Sequence, residues 1–252
     1  MERFRSLIAA ILIPILCSLP VAAQEIGQSS FYVSSGVTPI GLLNSIACVG
    51  AGGCTTASIS TTGATLLVTT LQTYTENPCT SGLVTSSPST TWACIAAYGG
   101  STGRNTAIWY AANPTVSGSQ TVTIGSSADY MFSSFSAWSN VITSSPLDVH
   151  NGATSSSAST LSTGSVTPTA NNELCIAAGG GYVGYPGETS ISFQAPAAAY
   201  TTIRSALSLG GTNSGGASGY SVQVSATATS TTYTEGGAAA GLSAAIACFK
   251  HS

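Results

Sequence analysis

The sequence predicts an all-β protein, an antiparallel two-sheet β-sandwich with disulfides. Three observations carry this expectation. Residues 24–252 are dense in Ser, Thr, Gly, Ala and Val and nearly lack Lys, Glu, Arg and Met, the residues that fill helix surfaces. Short apolar or alternating runs recur along this length, separated by Gly, Pro, Asn and Ser clusters, with no helical period of useful length. The same stretch holds six cysteines, an even number of the kind that pairs in an oxidising compartment.

The chain opens on a targeting segment. Residues 1–5 carry two arginines, 7–19 are apolar, and Val21, Ala22 and Ala23 are small residues ahead of Gln24, so residues 1–23 read as a secretory signal peptide. Pro14 and Pro20 interrupt the apolar stretch, which is also too short for a membrane span. A lipid anchor on Cys17 is disfavoured because Leu16 stands where such signals need a small residue.

Strand signals then follow in order at 65–74, 91–98, 106–112 and 120–125, and again at 130–138, 174–179, 190–193, 201–209, 220–226 and 242–249. Many short strands with no helices between them indicate a sandwich rather than a βαβ fold. The segments 65–71 and 92–97 are apolar on both faces, as expected of centre strands. Residues 221–226 alternate, which predicts Val222 and Val224 facing inward and Ser221 and Gln223 facing water. A chain of this length can bury roughly 70% of its unfolded surface. Residues 151–160 and 210–219 read as long loops within one domain spanning 24–252, since no linker divides it. A weak echo links 62–68 with 169–176: each places a turn before an apolar strand, which suggests two halves of one domain.

Export makes structural disulfides the default state of Cys48, Cys54, Cys79, Cys94, Cys175 and Cys248. Zinc is a weak rival, because there is no Cys-x-x-Cys pair and neither histidine sits near two cysteines. Sequence alone does not choose among the pairings of six cysteines, and two buried free thiols stay open as an alternative for the last two. Proximity favours Cys48 with Cys54 and Cys79 with Cys94, leaving Cys175 and Cys248 in two apolar strand-like runs.

The order of several short segments resembles a family of secreted bacterial β-sandwich modules. They are 63–68, 90–92, 107–113 and 121–124 in the first half, then 135–139, 145–148, 163–166, 172–174 and 245–250 in the second. The resemblance spans nearly all of residues 24–252 and implies a jelly-roll-like outline, an exported or surface location, and no catalytic residue. The six cysteines depart from that pattern.

Charge limits the chemistry. Beyond residue 23 the basic side chains are Arg104, Arg204 and Lys250, against Glu25, Glu76, Asp129, Asp148, Glu173, Glu188 and Glu235, with His150 and His251. So few basic groups exclude a nucleic-acid stripe and disfavour an anionic membrane surface. Residues 99–103 match Gly-x-Ser-x-Gly around Ser101, but the following segment reads as a strand where a nucleophile elbow needs a helix. Residues 179–184 match Gly-x-Gly-x-x-Gly, again without a helix, and Arg204 stands where a ribose-binding acid belongs. In an extended segment Asp148 and His150 share a face, so with a serine they form a conceivable triad; a turn aspartate beside an incidental histidine is the plainer reading. No acidic pair suits glycoside cleavage, and no Asp-x-Asp run suits calcium.

The expectation is therefore a secreted, non-enzymatic sandwich without cofactor or metal, serving adhesion, glycan binding or extracellular structure. Its alternatives are a serine hydrolase using Ser101 or the Asp148/His150 pair, and a self-assembling subunit that completes its sheets with a neighbouring copy. Trp92, Trp109 and Trp138 read as core. Tyr182 and Tyr185 flank a loop rich in Gly and Pro and are the candidate ligand or partner contacts.

Overall fold

Among the described residues the regular elements are all strands. In the computed structural model, residues 38–74, 76–99, 104–125, 130–183, 191–194, 200–208, 213–235 and 240–252 are described. Thr38–Ser252 is one compact unit. Its first half contains β1 (Gly41–Gly50), β2 (Cys54–Thr55), β3 (Leu66–Tyr74), β4 (Val84–Ser87), β5 (Ala93–Gly99), β6 (Arg104–Ala112), β7 (Thr121–Ile124) and β8 (Met131–Ser139). Its second half contains β9 (Leu147–Ala158), β10 (Thr160–Ser162), β11 (Glu173–Val183), β12 (Ile191–Gln194), β13 (Thr201–Ser208), β14 (Asn213–Gln223), β15 (Thr232–Glu235) and β16 (Ala240–Phe249).

The two halves repeat one topology. A five-stranded sheet runs β1-β8-β3-β6-β5 beside a three-stranded sheet β2-β7-β4; the second half gives β9-β16-β11-β14-β13 and β10-β15-β12. Adding eight to each strand number converts one set into the other, and every pairing is antiparallel. Registers match as well. Leu66 pairs with Trp138 and Val68 with Tyr110 in the first half, as Leu174 pairs with Phe249 and Ile176 with Tyr220 in the second. The first strand of each half has an extra residue just after Leu42 or Leu147, and β5 and β13 each bulge at Ile95 or Ile203. The echo between 62–68 and 169–176 falls on the entries to the equivalent strands β3 and β11.

The two large sheets face each other and bury a shared core. Leu66, Val68, Trp138, Leu174, Ile176 and Phe249 belong to it, with Tyr110 and Tyr220 packed against them. Two edge-to-face ring pairs cross the interface, Tyr110 on Phe249 with centroids 5.6 Å apart and Trp138 on Tyr220 at 4.8 Å. Because Tyr110 corresponds to Tyr220 and Trp138 to Phe249, these are one contact made twice, as in a self-complementary interface between like subunits. Beyond these strands Val141 and His251 form an antiparallel bridge between the halves: the Ile142 N–H donates to the Lys250 carbonyl at 3.1 Å and the Ser252 N–H to that of Asn140 at 3.0 Å.

Each large sheet is also covered on its outer face. Leu67, Leu71, Phe135 and Ala137 pack with Val84, Val122 and Ile124 of the small sheet in the first half. In the second half Cys175, Ala177, Ile246 and Cys248 join Val166 and Tyr200, and Ala217 and Leu242 join Tyr233. The described residues thus build four layers around the expected pair of facing sheets. This is why β3 is buried along both faces. Residues 92–97 instead lie on or beside the edge strand β5, where burial is partial.

Besides that of 92–97 as a centre strand, three readings of the sequence are corrected. Residues 151–158 belong to β9 and 213–219 to β14, although both were expected to be loops. Val224 is 78% exposed while Gln223 is buried, because β14 ends at Gln223 and the alternation does not continue.

Candidate functional site

The residues proposed from sequence for catalysis are separated by the backbone. Asp148 lies at a bulge of β9: Leu147 pairs with Phe249 and His150 with Ala247, so two β9 residues oppose Cys248. The extra residue breaks the two-residue alternation that would have placed Asp148 and His150 on one face. Leu147 reaches the core between the large sheets and Val149 the outer core. The expected sharing of a face by Asp148 and His150 is therefore overturned.

His150 turns to the edge strand of the other half. Its Nδ1 shares a 2.8 Å hydrogen bond with the Tyr98 hydroxyl, and the rings meet edge to face. Burial pushes the Tyr98 hydroxyl up, so it keeps its proton at neutral pH and can donate to the imidazole. The ring lies across Gly152, where any Cβ would overlap it. At the opposite edge Arg204 of β13 donates from Nη2 to the carbonyl of Ser45 at 2.6 Å. Ser45 is the register counterpart of His150, so each half reaches across to the same position of the other.

Asp148 faces away from the histidine into a small polar cluster. Thr169 donates its N–H to Oδ2 at 2.7 Å and its hydroxyl to Oδ1 at 2.8 Å, while Lys250 Nζ lies 3.9 Å from Oδ1. Beside it Glu173, at the first residue of β11, is fully buried and accepts the Ala170 N–H on Oε1 at 3.0 Å. Desolvation drives the Asp148 carboxyl upward, but the Thr169 bonds, Glu173 and Lys250 outweigh it and hold it below the usual range. For Glu173 desolvation dominates: against the Ala170 N–H, burial and the Asp148 charge push it up to about 7.

This cluster was missed in the sequence because Asp148 and Glu173 are 25 positions apart; only strand neighbours of β16 bring them together. Among the described residues no group of three or more His, Cys, Asp or Glu side chains is placed to hold a metal.

A second polar layer lies between the large sheets towards the end where β3 and β11 finish. Thr106 and Ser243 hydroxyls bond across it at 2.7 Å, and Thr70, Gln72 and Ser134 are buried nearby. Gly180 admits the Gln72 side chain, which would collide with a Cβ there. Among the described residues the layer offers hydroxyl and amide groups, with no base placed beside a nucleophile.

The disulfides join Cys48 to Cys54, Cys79 to Cys94, and Cys175 to Cys248, the pairs that proximity favours. The last links residues directly opposite one another on β11 and β16. Of the remaining expected site residues, Ser101 and Tyr185 lie outside the described residues. Tyr182 is in β11, where its backbone pairs with Ser214 and Gly241.

These features define a charge-poor, disulfide-bonded all-β protein whose described residues form two eight-stranded halves. No protein-family model, curated protein or solved structure matches the chain.

Proposed function

We propose that the protein is a secreted, non-enzymatic module that binds a glycan or a surface partner outside the cell. The carrying observation is that both halves of its one histidine–carboxylate candidate are engaged elsewhere: His150 with Tyr98, and Asp148 with Thr169 and Lys250. A triad needs the carboxylate on the imidazole and the imidazole on a nucleophile. Among the described residues neither link is made. The three disulfides are consistent with an oxidising, extracellular location, and the apolar segment at 7–19 supports export.

The strand order within each half supports the jelly-roll outline that the family resemblance implies. Tyr182 stands at the end of β11 that pairs with the start of β14 and of β16. Connections at a sandwich end are where a rigid scaffold presents binding groups. On this reading the ligand surface lies at this end, with Tyr182 as an aromatic contact of the kind that stacks on sugar faces; Tyr185, the second candidate contact, lies outside the described residues.

The test is a panel of immobilised glycans and surface proteins probed with the protein lacking residues 1–23, alongside a fluorophosphonate probe. Saturable binding that falls at least about tenfold, or about 1.4 kcal/mol, in the Y182A/Y185A variant supports the reading. A probe adduct on Ser101 would replace it with the hydrolase.

A further inference from the structure

The Asp148–Glu173 cluster has no part in the proposed binding surface, yet it buries two acidic groups beside a single cation. Asp148 comes from β9, Glu173 from β11, and Lys250 follows β16, the strand between them. The Thr169 and Ala170 amides that satisfy the carboxyls belong to the segment leading from β10 into β11. That segment also pairs with the β14–β15 connection, through Val166 and Thr229 and through Thr163 and Thr231. The cluster therefore pins the connection between the outer and inner sheets of the second half.

We propose that Glu173 is a protonation latch, closed when its buried carboxyl carries a proton and loosened when it is charged alongside Asp148. The geometry gives the reason. Glu173 is fully buried, its Oε1 is occupied by the Ala170 N–H, and its Oε2 has no hydrogen-bond acceptor or donor placed on it among the described residues. A proton on Glu173 keeps that unpartnered, buried oxygen neutral, so the site holds the Asp148 carboxylate as its one anion. Loss of that proton leaves two anions in a desolvated site facing one ammonium at 3.9 Å from Asp148.

Among the described residues no other charge is placed to rescue the second anion. The residue opposite Glu173 on β14 is the neutral Gln223. On β9 the next titratable side chain, His150, bonds to Tyr98 on the other half, and after β16 His251 Nε2 bonds to the Thr38 carbonyl. Lys250 is the remaining facing charge and lies against Asp148.

The direction follows from linkage. The unfolded chain releases the Glu173 proton near its ordinary value, and the folded chain holds it up to about 7. Between these the native state binds more protons, so the stability this group contributes is present in acid and is lost as pH rises through about 7. Asp148, held low, opposes only below the ordinary carboxylate range, where stability falls with further acid. The latch thus places the stability maximum on the acid side of neutrality.

The test compares melting temperatures of the wild type and Glu173→Gln from pH 5 to pH 8.5. Gln keeps the shape and the Oε1 acceptor but cannot ionise. The wild type should lose roughly 2–6 °C more than the variant across that range, the two coinciding near pH 5. Parallel profiles would overturn the latch. Carbon-detected titration of the wild-type Glu173 carboxyl decides the matter should the variant fail to fold: a midpoint near neutrality supports the latch, and one below pH 5 contradicts it.

Discussion

Gly152 shows how tightly single residues are specified at the edge between the halves. The Tyr98 ring occupies the space that a Cβ on Gly152 would need, and the Tyr98 hydroxyl meets His150 two positions earlier on β9. Gly152→Ala should therefore destabilise the protein by about 1–3 kcal/mol in a urea melt, the cost of overpacking a filled site. In a Tyr98→Ala background the same change should cost much less, since the colliding ring is gone. The sequence alone could not expose this pair, because a bulge decides where Asp148 and His150 point and a bulge leaves no signature in the alternation of Leu147, Asp148, Val149 and His150. The chemistry was legible only as residue types: few charges, one conceivable triad, and hydroxyls everywhere else.

At the level of elements, the edges of the large sheets differ from their interiors. All four edge strands, β1, β5, β9 and β13, carry a register shift against their neighbours, whereas the inner pairings of β3 with β6 and β8, and of β11 with β14 and β16, run without one. Bulged edges twist away from a flat template and resist pairing with another chain. This argues against assembly by adding strands to the large sheets, and sedimentation velocity over a hundredfold concentration range should show a single monomeric species. Strands with strong apolar content, such as β3 and β16, were readable from sequence; β9 and β14 were not. Their middles are built from small residues, Gly152, Ala153, Gly216, Ala217 and Ser218 among them, and at Gly152 and Gly216 the Tyr98 and Phe132 rings take the space a Cβ would need. Gly and Ser in such numbers look like loop composition when only hydropathy is read. The disulfide between β11 and β16 crosses two adjacent strands 73 positions apart, and replacing Cys175 and Cys248 together by Ala should cost about 2–5 kcal/mol in chemical denaturation.

Across the whole molecule, duplication explains what the composition could not. A chain with so few charges relies on burial, and four layers give both large sheets two covered faces. The short echo between 62–68 and 169–176 was the visible trace of a repeat that side-chain identity otherwise conceals: Trp138 answers to Phe249, Ser45 to His150. Topology and register persist where sequence does not, since any apolar side chain of similar bulk fills an equivalent core position. The equivalence has an energetic consequence. Tyr110→Ala and Tyr220→Ala each remove one copy of the same ring contact, and each should lower stability by about 1–3 kcal/mol in matched urea melts.

The central proposal is a stapled, duplicated sandwich that works outside the cell. Non-reducing peptide mapping of protein recovered from the growth medium tests that directly. We predict an N-terminus at Gln24 and three linked peptide pairs, Cys48 with Cys54, Cys79 with Cys94 and Cys175 with Cys248. A chain retained in the cytosol with residues 1–23 attached and its cysteines free to alkylation would contradict it.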